Sequence, residues 1–225
     1  MLGIISHSSG IEPQVPYIEF ESFQQVDKIE PKRCYVVSQV IRSMDRGNTR
    51  YLQDLTPEEF QRRLRKAKEE VLALSEADLD KRILLEKYPK RLKGYNAVCW
   101  YKGIVHANEV GVWKGAGGLP VEWTEGSLAD TARRVSKALI NSENTKVAAR
   151  AKRVIPRMQA LVKTIEKEKY LYPIILPPAT NGRGQWGRPY KNFDLMKGDI
   201  DDGCMRAISL AVSGRISFYA FIGIK

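Results

Sequence analysis

The chain has 225 residues, 43% of them apolar and 28% charged, the composition of a globular protein long enough to bury a core without disulfides or metals. Lys and Arg number 37 against 26 Asp and Glu, so the formal charge is +11, an excess that favours a polyanionic partner, most often nucleic acid. Three scattered cysteines (34, 99 and 204) exclude a disulfide framework and a zinc staple, no apolar run approaches the roughly 20 residues of a membrane span, and the first ten residues lack a signal-peptide pattern, so a cytoplasmic protein is expected.

Residues 1–30 read as a loop leading into a short strand at Tyr17–Phe20. The β-branched, apolar run Arg33–Ile41 reads as a buried strand, and the polar, basic stretch Arg42–Arg50 as a loop. Thr56, Pro57 and Glu59 then form a helix start: a cap, a proline at the first helical position and a capping-box acid. Phe60, Leu64, Ala67, Val71 and Leu74 follow at helical spacing. Ser75 with Asp78 opens a second helix through Leu79, Ile83 and Leu84, which Pro89 is expected to stop. This helical hairpin holds eleven basic and eight acidic side chains over residues 56–94, a nearly balanced solvated face.

Residues 95–123 are aromatic and punctuated by glycine, and read as short strands with tight turns. Lys114–Gly118 lacks the spacing of a phosphate loop and reads as a hairpin turn. Ser127 and Asp130 open a helix whose stripe is Leu128, Ala132, Val135 and Leu139. Another runs from about Thr145 towards Lys169, kinked or broken by Pro156, and Leu171–Leu176 is a short strand.

Ala179–Gly198 is a long segment without an obvious element, and such segments are usually functional or disordered. It interleaves Arg183, Arg188 and Lys191 with Trp186 and Tyr190, so that cations can meet phosphates and rings can stack on bases. Residues 146–191 carry eleven Lys or Arg and two acids, which concentrates +9 of the net charge there. These five residues are the expected nucleic-acid contacts, with DNA the expected partner.

The most informative stretch follows. Gly198 to Arg206, followed by Ala207 to Gly214 and Arg215 to Ile222, reads as a short strand, a sharp turn at Gly203, a helix, a stop at Gly214 and a final strand. Amides freed at the helix start, with Arg206 one turn in, suit a phosphate. Asp201 and Asp202 are placed to cap the helix, hold a metal or act as a base.

Strand, Asp-Gly-x-x-Arg turn, helix, glycine and strand together resemble the core of the ParB/sulfiredoxin superfamily. There, a helix precedes a Pro-Ile strand, which precedes a Gly-x-x-Arg turn; Arg157–Ile165, then Pro173 to Ile175, then Gly203 to Arg206 stand in that order. The resemblance covers about residues 145–225 and leaves 1–144 as an elaboration of strands, a helical hairpin and a glycine- and aromatic-rich β segment. It implies an α+β fold with a ParB/sulfiredoxin-like mixed core. It also implies a nucleoside triphosphate (ATP or CTP) bound at Gly203, Cys204, Met205 and Arg206, with magnesium on Asp201 and Asp202. Asp201, Asp202 and Arg206 would then be catalytic in phosphoryl transfer to a nucleic acid or nucleotide, a kinase-like modification. One alternative is a metal-dependent nuclease of the same superfamily; another, from a different functional class, is a non-catalytic DNA-binding or nucleotide-switch protein. Sulfiredoxin uses the cysteine of Gly-Cys-His-Arg as a nucleophile; here Met205 replaces that histidine, and Cys204 is expected to be dispensable.

Overall fold

The structure, a computed structural model, describes residues 23–44, 55–85, 89–113, 115–140, 146–177 and 198–224. The strand expected at Tyr17–Phe20 lies outside them. The fold is α+β, built on one curled six-stranded sheet. Its strands are β1 (Gln24–Val26), β2 (Cys99–His106), β3 (Val110–Val112), β4 (Ile174–Leu176), β5 (Gly198–Asp202) and β6 (Ser217–Ile224), in the order β1-β2-β6-β4-β5-β3. Strands from residues 1–144 and from 145–225 therefore share one sheet.

The curl follows from chain length. Only residues 107–109 join β2 to β3, which reaches about 14 Å fully extended. A flat sheet would set strands four places apart at roughly 19 Å. β3 pairs parallel with β5 and leaves β2 to pair antiparallel with β6. The turn at Gly115–Gly118 is thus no hairpin: residues 116–118 form a 3-10 turn with left-handed φ at Gly115, Gly117 and Gly118.

Helix α1 (Ile29–Ser43) occupies the run expected as a strand. Its period is hidden because it is covered on most sides, by α2 (Pro57–Leu72), α3 (Glu76–Leu85) and the turn at Lys169–Leu171. Lys32 is fully buried and ties α1 to α3, 2.7 Å from both Glu76 and Asp80. Both helix starts are capped by the expected hydroxyls: the Glu59 amide donates to Thr56 Oγ1 and the Asp78 amide to Ser75 Oγ, while the Glu59 carboxylate accepts from Arg62 and Arg63 instead of closing a box. Phe60, Leu64, Ala67 and Val71 are buried along α2, and each large side chain contributes roughly 1.5–3 kcal/mol.

Pro89 does not merely stop a helix; it opens α4 (Pro89–Asn96), where a proline at the first position leaves no bond unmade. Tyr95 consequently sits in α4, and β2 begins at Cys99. α5 (Leu128–Ile140) starts at a reciprocal box in which the Asp130 amide donates to Ser127 Oγ and the Ser127 amide to Asp130 Oδ2. α6 (Lys146–Ala160) runs through Pro156 and breaks at Leu161 before α7 (Val162–Lys167). The end of the chain follows the reading from sequence: β5, a turn, α8 (Cys204–Val212), Gly214 at φ +83°, and β6.

Candidate functional site

The turn between β5 and α8 is built around Gly203. Its φ of +91° is left-handed, and a Cβ there would stand 3.0 Å from Arg206 Nη2 and 3.1 Å from the Pro173 Cα. Glycine is thus required on both conformational and steric grounds. It lets the Arg206 guanidinium fold back over the amino end of its own helix. Arg206 is 4% exposed; Nη2 donates to Asp202 Oδ2 at 2.7 Å, while Nε is buried with no hydrogen-bond partner. Burial pushes the Asp202 carboxyl up, but Arg206, Arg42 and Arg91 outweigh it and hold the group below the usual aspartate range.

Asp201 points the other way along the strand, into the core. Arg91 from α4 donates through Nε to Oδ2 at 2.7 Å and through Nη2 to Oδ1 at 3.3 Å, and the Tyr95 hydroxyl donates to Oδ2 at 3.1 Å. Both side chains of the ion pair are almost wholly buried. Arg91 also donates to the Tyr35 hydroxyl on α1. Asp201 thus locks α1 and α4 onto the sheet, with both oxygens engaged.

α1 reaches the neighbourhood of the turn through Cys34, which hydrogen-bonds Tyr172, the residue before the Pro173 that packs against Gly203. The charges of Arg206 and Asp202 act on the Cys34 thiol, and that of Arg42 acts on Asp202. Cys34, Ser38 and Arg42 recur at four-residue spacing and share one face of α1. Cys34 is fully buried, which pushes its thiol up, and its Sγ donates to the Tyr172 carbonyl. Ser38 is fully buried and its hydroxyl has no partner. Buried unpaired groups are rare in folded proteins and call for an explanation, a bound ion or ligand among them.

The remaining expected residues separate. Cys204 faces the interior, its Sγ donating to the Ile200 carbonyl at 3.3 Å. Met205 lies against Gly117, where a Cβ would stand 2.1 Å from its sulfur. Arg183, Trp186, Arg188, Tyr190 and Lys191 lie outside the described residues. Among the described residues, no group of three or more His, Cys, Asp or Glu is placed to hold a metal ion, and no helix is long and apolar enough to cross a membrane.

Ser38, Arg42, Arg91 and Tyr95 were not anticipated from sequence. Ser38 and Arg42 fell in stretches read as strand and loop; only the helical spacing of Cys34, Ser38 and Arg42 would have marked them. No family model, curated protein or solved structure matches this chain.

Proposed function

We propose that the chain binds a nucleotide by its phosphates at the Gly203–Arg206 turn, and transfers a phosphoryl group to a nucleic acid or nucleotide. One observation carries the reading: Arg206 Nε at the amino end of α8 is a buried donor without a protein partner, and so is Ser38 Oγ on α1, the helix whose Arg42 acts electrostatically on Asp202. Helix amides, a guanidinium and a hydroxyl are the donor set of a phosphate site. The +11 charge supports a polyanionic acceptor.

Asp202 would hold the magnesium that accompanies the nucleotide. Its carboxylate is a hard oxygen donor, and magnesium commonly takes one or two carboxylates plus phosphates. The ion supplies charge neutralisation on the phosphates. The lowered pKa keeps Asp202 ionised at neutral pH, which suits a cation ligand better than a proton acceptor. Arg206 and Ser38 would orient the phosphate, and Gly203 lets the backbone approach. A nuclease with a two-carboxylate metal site is less well supported, since Asp201 has both oxygens committed to Arg91 and Tyr95.

The test is calorimetric titration of ATP and CTP with magnesium into the wild type, Arg206→Lys and Ser38→Ala. Arg206→Lys keeps the charge and loses Nε, and should weaken binding by about 1.5–3 kcal/mol. Ser38→Ala removes an unpaired hydroxyl, so the free protein should be no less stable while affinity falls. Absence of any nucleotide or phosphate binding by the wild type would sink the reading.

A further inference from the structure

We propose that a cleft beside the phosphate turn takes the nucleobase of that nucleotide and prefers a base bearing an amino group. The proposal rests on the phosphate reading above. The cleft has a volume of about 220 Å³ and lies between α7, α8 and the first half of β6. Drug-sized ligands fill roughly 300–1,000 Å³, so this space suits one planar ring system and leaves the phosphates outside.

Its position is what joins it to the turn. Pro173 lines the cleft, and the Cα of the same residue lies 3.1 Å from where a Gly203 Cβ would stand. Leu210, also in the lining, is seven residues beyond Gly203 on α8, roughly 10 Å along the helix. A nucleoside triphosphate spans that distance.

The lining suits a base. Tyr172 and Tyr219 are stacked, with centroids 5.6 Å apart and planes 15° from parallel. Tyr219 is nonetheless 46% exposed, so its aromatic surface is open to a further ring. Ile104 and Ile165 supply apolar walls. Two polar groups can read the edge of the base. Ser217 Oγ is held 2.7 Å from His106 Nδ1. Glu166 is held through Oε1 by Arg215 Nε, which leaves the second oxygen to accept a hydrogen bond. An ionised carboxylate only accepts, so it attracts the exocyclic amine of adenine or cytosine and repels the carbonyls flanking N3 of uracil.

The experiment titrates tripolyphosphate, ATP, CTP and UTP, each with magnesium, into the full chain and into Tyr219→Ala, Tyr219→Phe and Glu166→Gln. ATP or CTP should bind about ten-fold tighter than tripolyphosphate, the order expected of one stacked base. Tyr219→Ala should remove that advantage and Tyr219→Phe retain it. Glu166→Gln should erase the preference over UTP. Nucleoside triphosphates binding no tighter than tripolyphosphate, or an advantage that survives Tyr219→Ala, would overturn the cleft while leaving the phosphate turn standing. Failure of tripolyphosphate and nucleotides alike would remove both.

Discussion

Arg91 and Asp201 stand 110 residues apart in the chain and form an almost wholly buried ion pair, Nε to Oδ2 at 2.7 Å. Breaking such a pair from one side leaves an uncompensated charge in the core, at a cost of about 3–5 kcal/mol. Asp201→Ala and Arg91→Ala should each lower the unfolding free energy measured in urea by that order, with or without nucleotide. The double variant Arg91→Leu, Asp201→Leu should recover part of the loss. An Asp201→Ala protein that keeps its stability but loses magnesium-dependent binding would return Asp201 to the metal-ligand role.

Asp202 is the contrasting acid. Asp202→Asn should abolish phosphoryl transfer while nucleotide binding without magnesium persists, because the phosphate donors remain. Turnover of labelled nucleotide beside a magnesium-free titration measures both. Unimpaired turnover would dismiss the role given to Asp202.

The three thiols should differ in kind. Cys99 is exposed, whereas Cys34 and Cys204 are buried. A thiol reagent should label one cysteine rapidly in the native protein and the other two only on unfolding. Cys204→Ser should retain most activity, since its sulfur faces the Ile200 carbonyl. A covalent phosphoryl adduct trapped on Cys204 would favour the sulfiredoxin type of chemistry.

Glu59 predicts part of the acid limb of stability. Hydrogen bonds from Arg62 and Arg63 hold its carboxyl down to about 2. A depressed pKa means stabilisation that is full above the ordinary glutamate value and lost as pH falls from about 4.5 to about 2. The stability difference between wild type and Glu59→Gln should shrink across that window in urea titrations. A constant difference would disprove the contribution.

If nucleic acid is the partner proposed for the charge of residues 146–191, its binding should depend on salt. The slope of log affinity against log salt should be about −0.9 per phosphate contact on duplex DNA and −0.7 on single strands. Replacing Arg183, Arg188 and Lys191 together should flatten it by roughly two to three contacts. Trp186→Ala should cost about 1–3 kcal/mol on single strands and little on duplex. Salt-independent or absent binding would leave a small-molecule nucleotide enzyme.

What sequence could show and could not follows from how local each signal is. Helix caps at Thr56, Ser75 and Ser127 were legible because their bonds close within three residues. The strand, turn, helix and strand from Gly198 onward were legible because a left-handed glycine bounds each end of α8. α1 was misread because nine of its fifteen residues are buried, and a helix covered on most sides shows no polar stripe. The ion pair of Asp201 was invisible: no local pattern says that a carboxylate at a turn will be claimed by an arginine from a helix whose existence was itself missed. Pro89 was read as a terminator, though the residue serves a start equally well.

The sheet order has a consequence for synthesis. β6 lies between β2 and β4, pairing with residues as far back as Cys99. Until residues 217–224 have left the ribosome, β2 and β4 have no shared neighbour, and each keeps one bare edge. Such edges template pairing with other chains, and distant pairings form slowly. The nascent sheet must therefore stay unfinished from the synthesis of β2 until that of β6, and chains that stall before Ser217 should depend on chaperones and be the ones that aggregate.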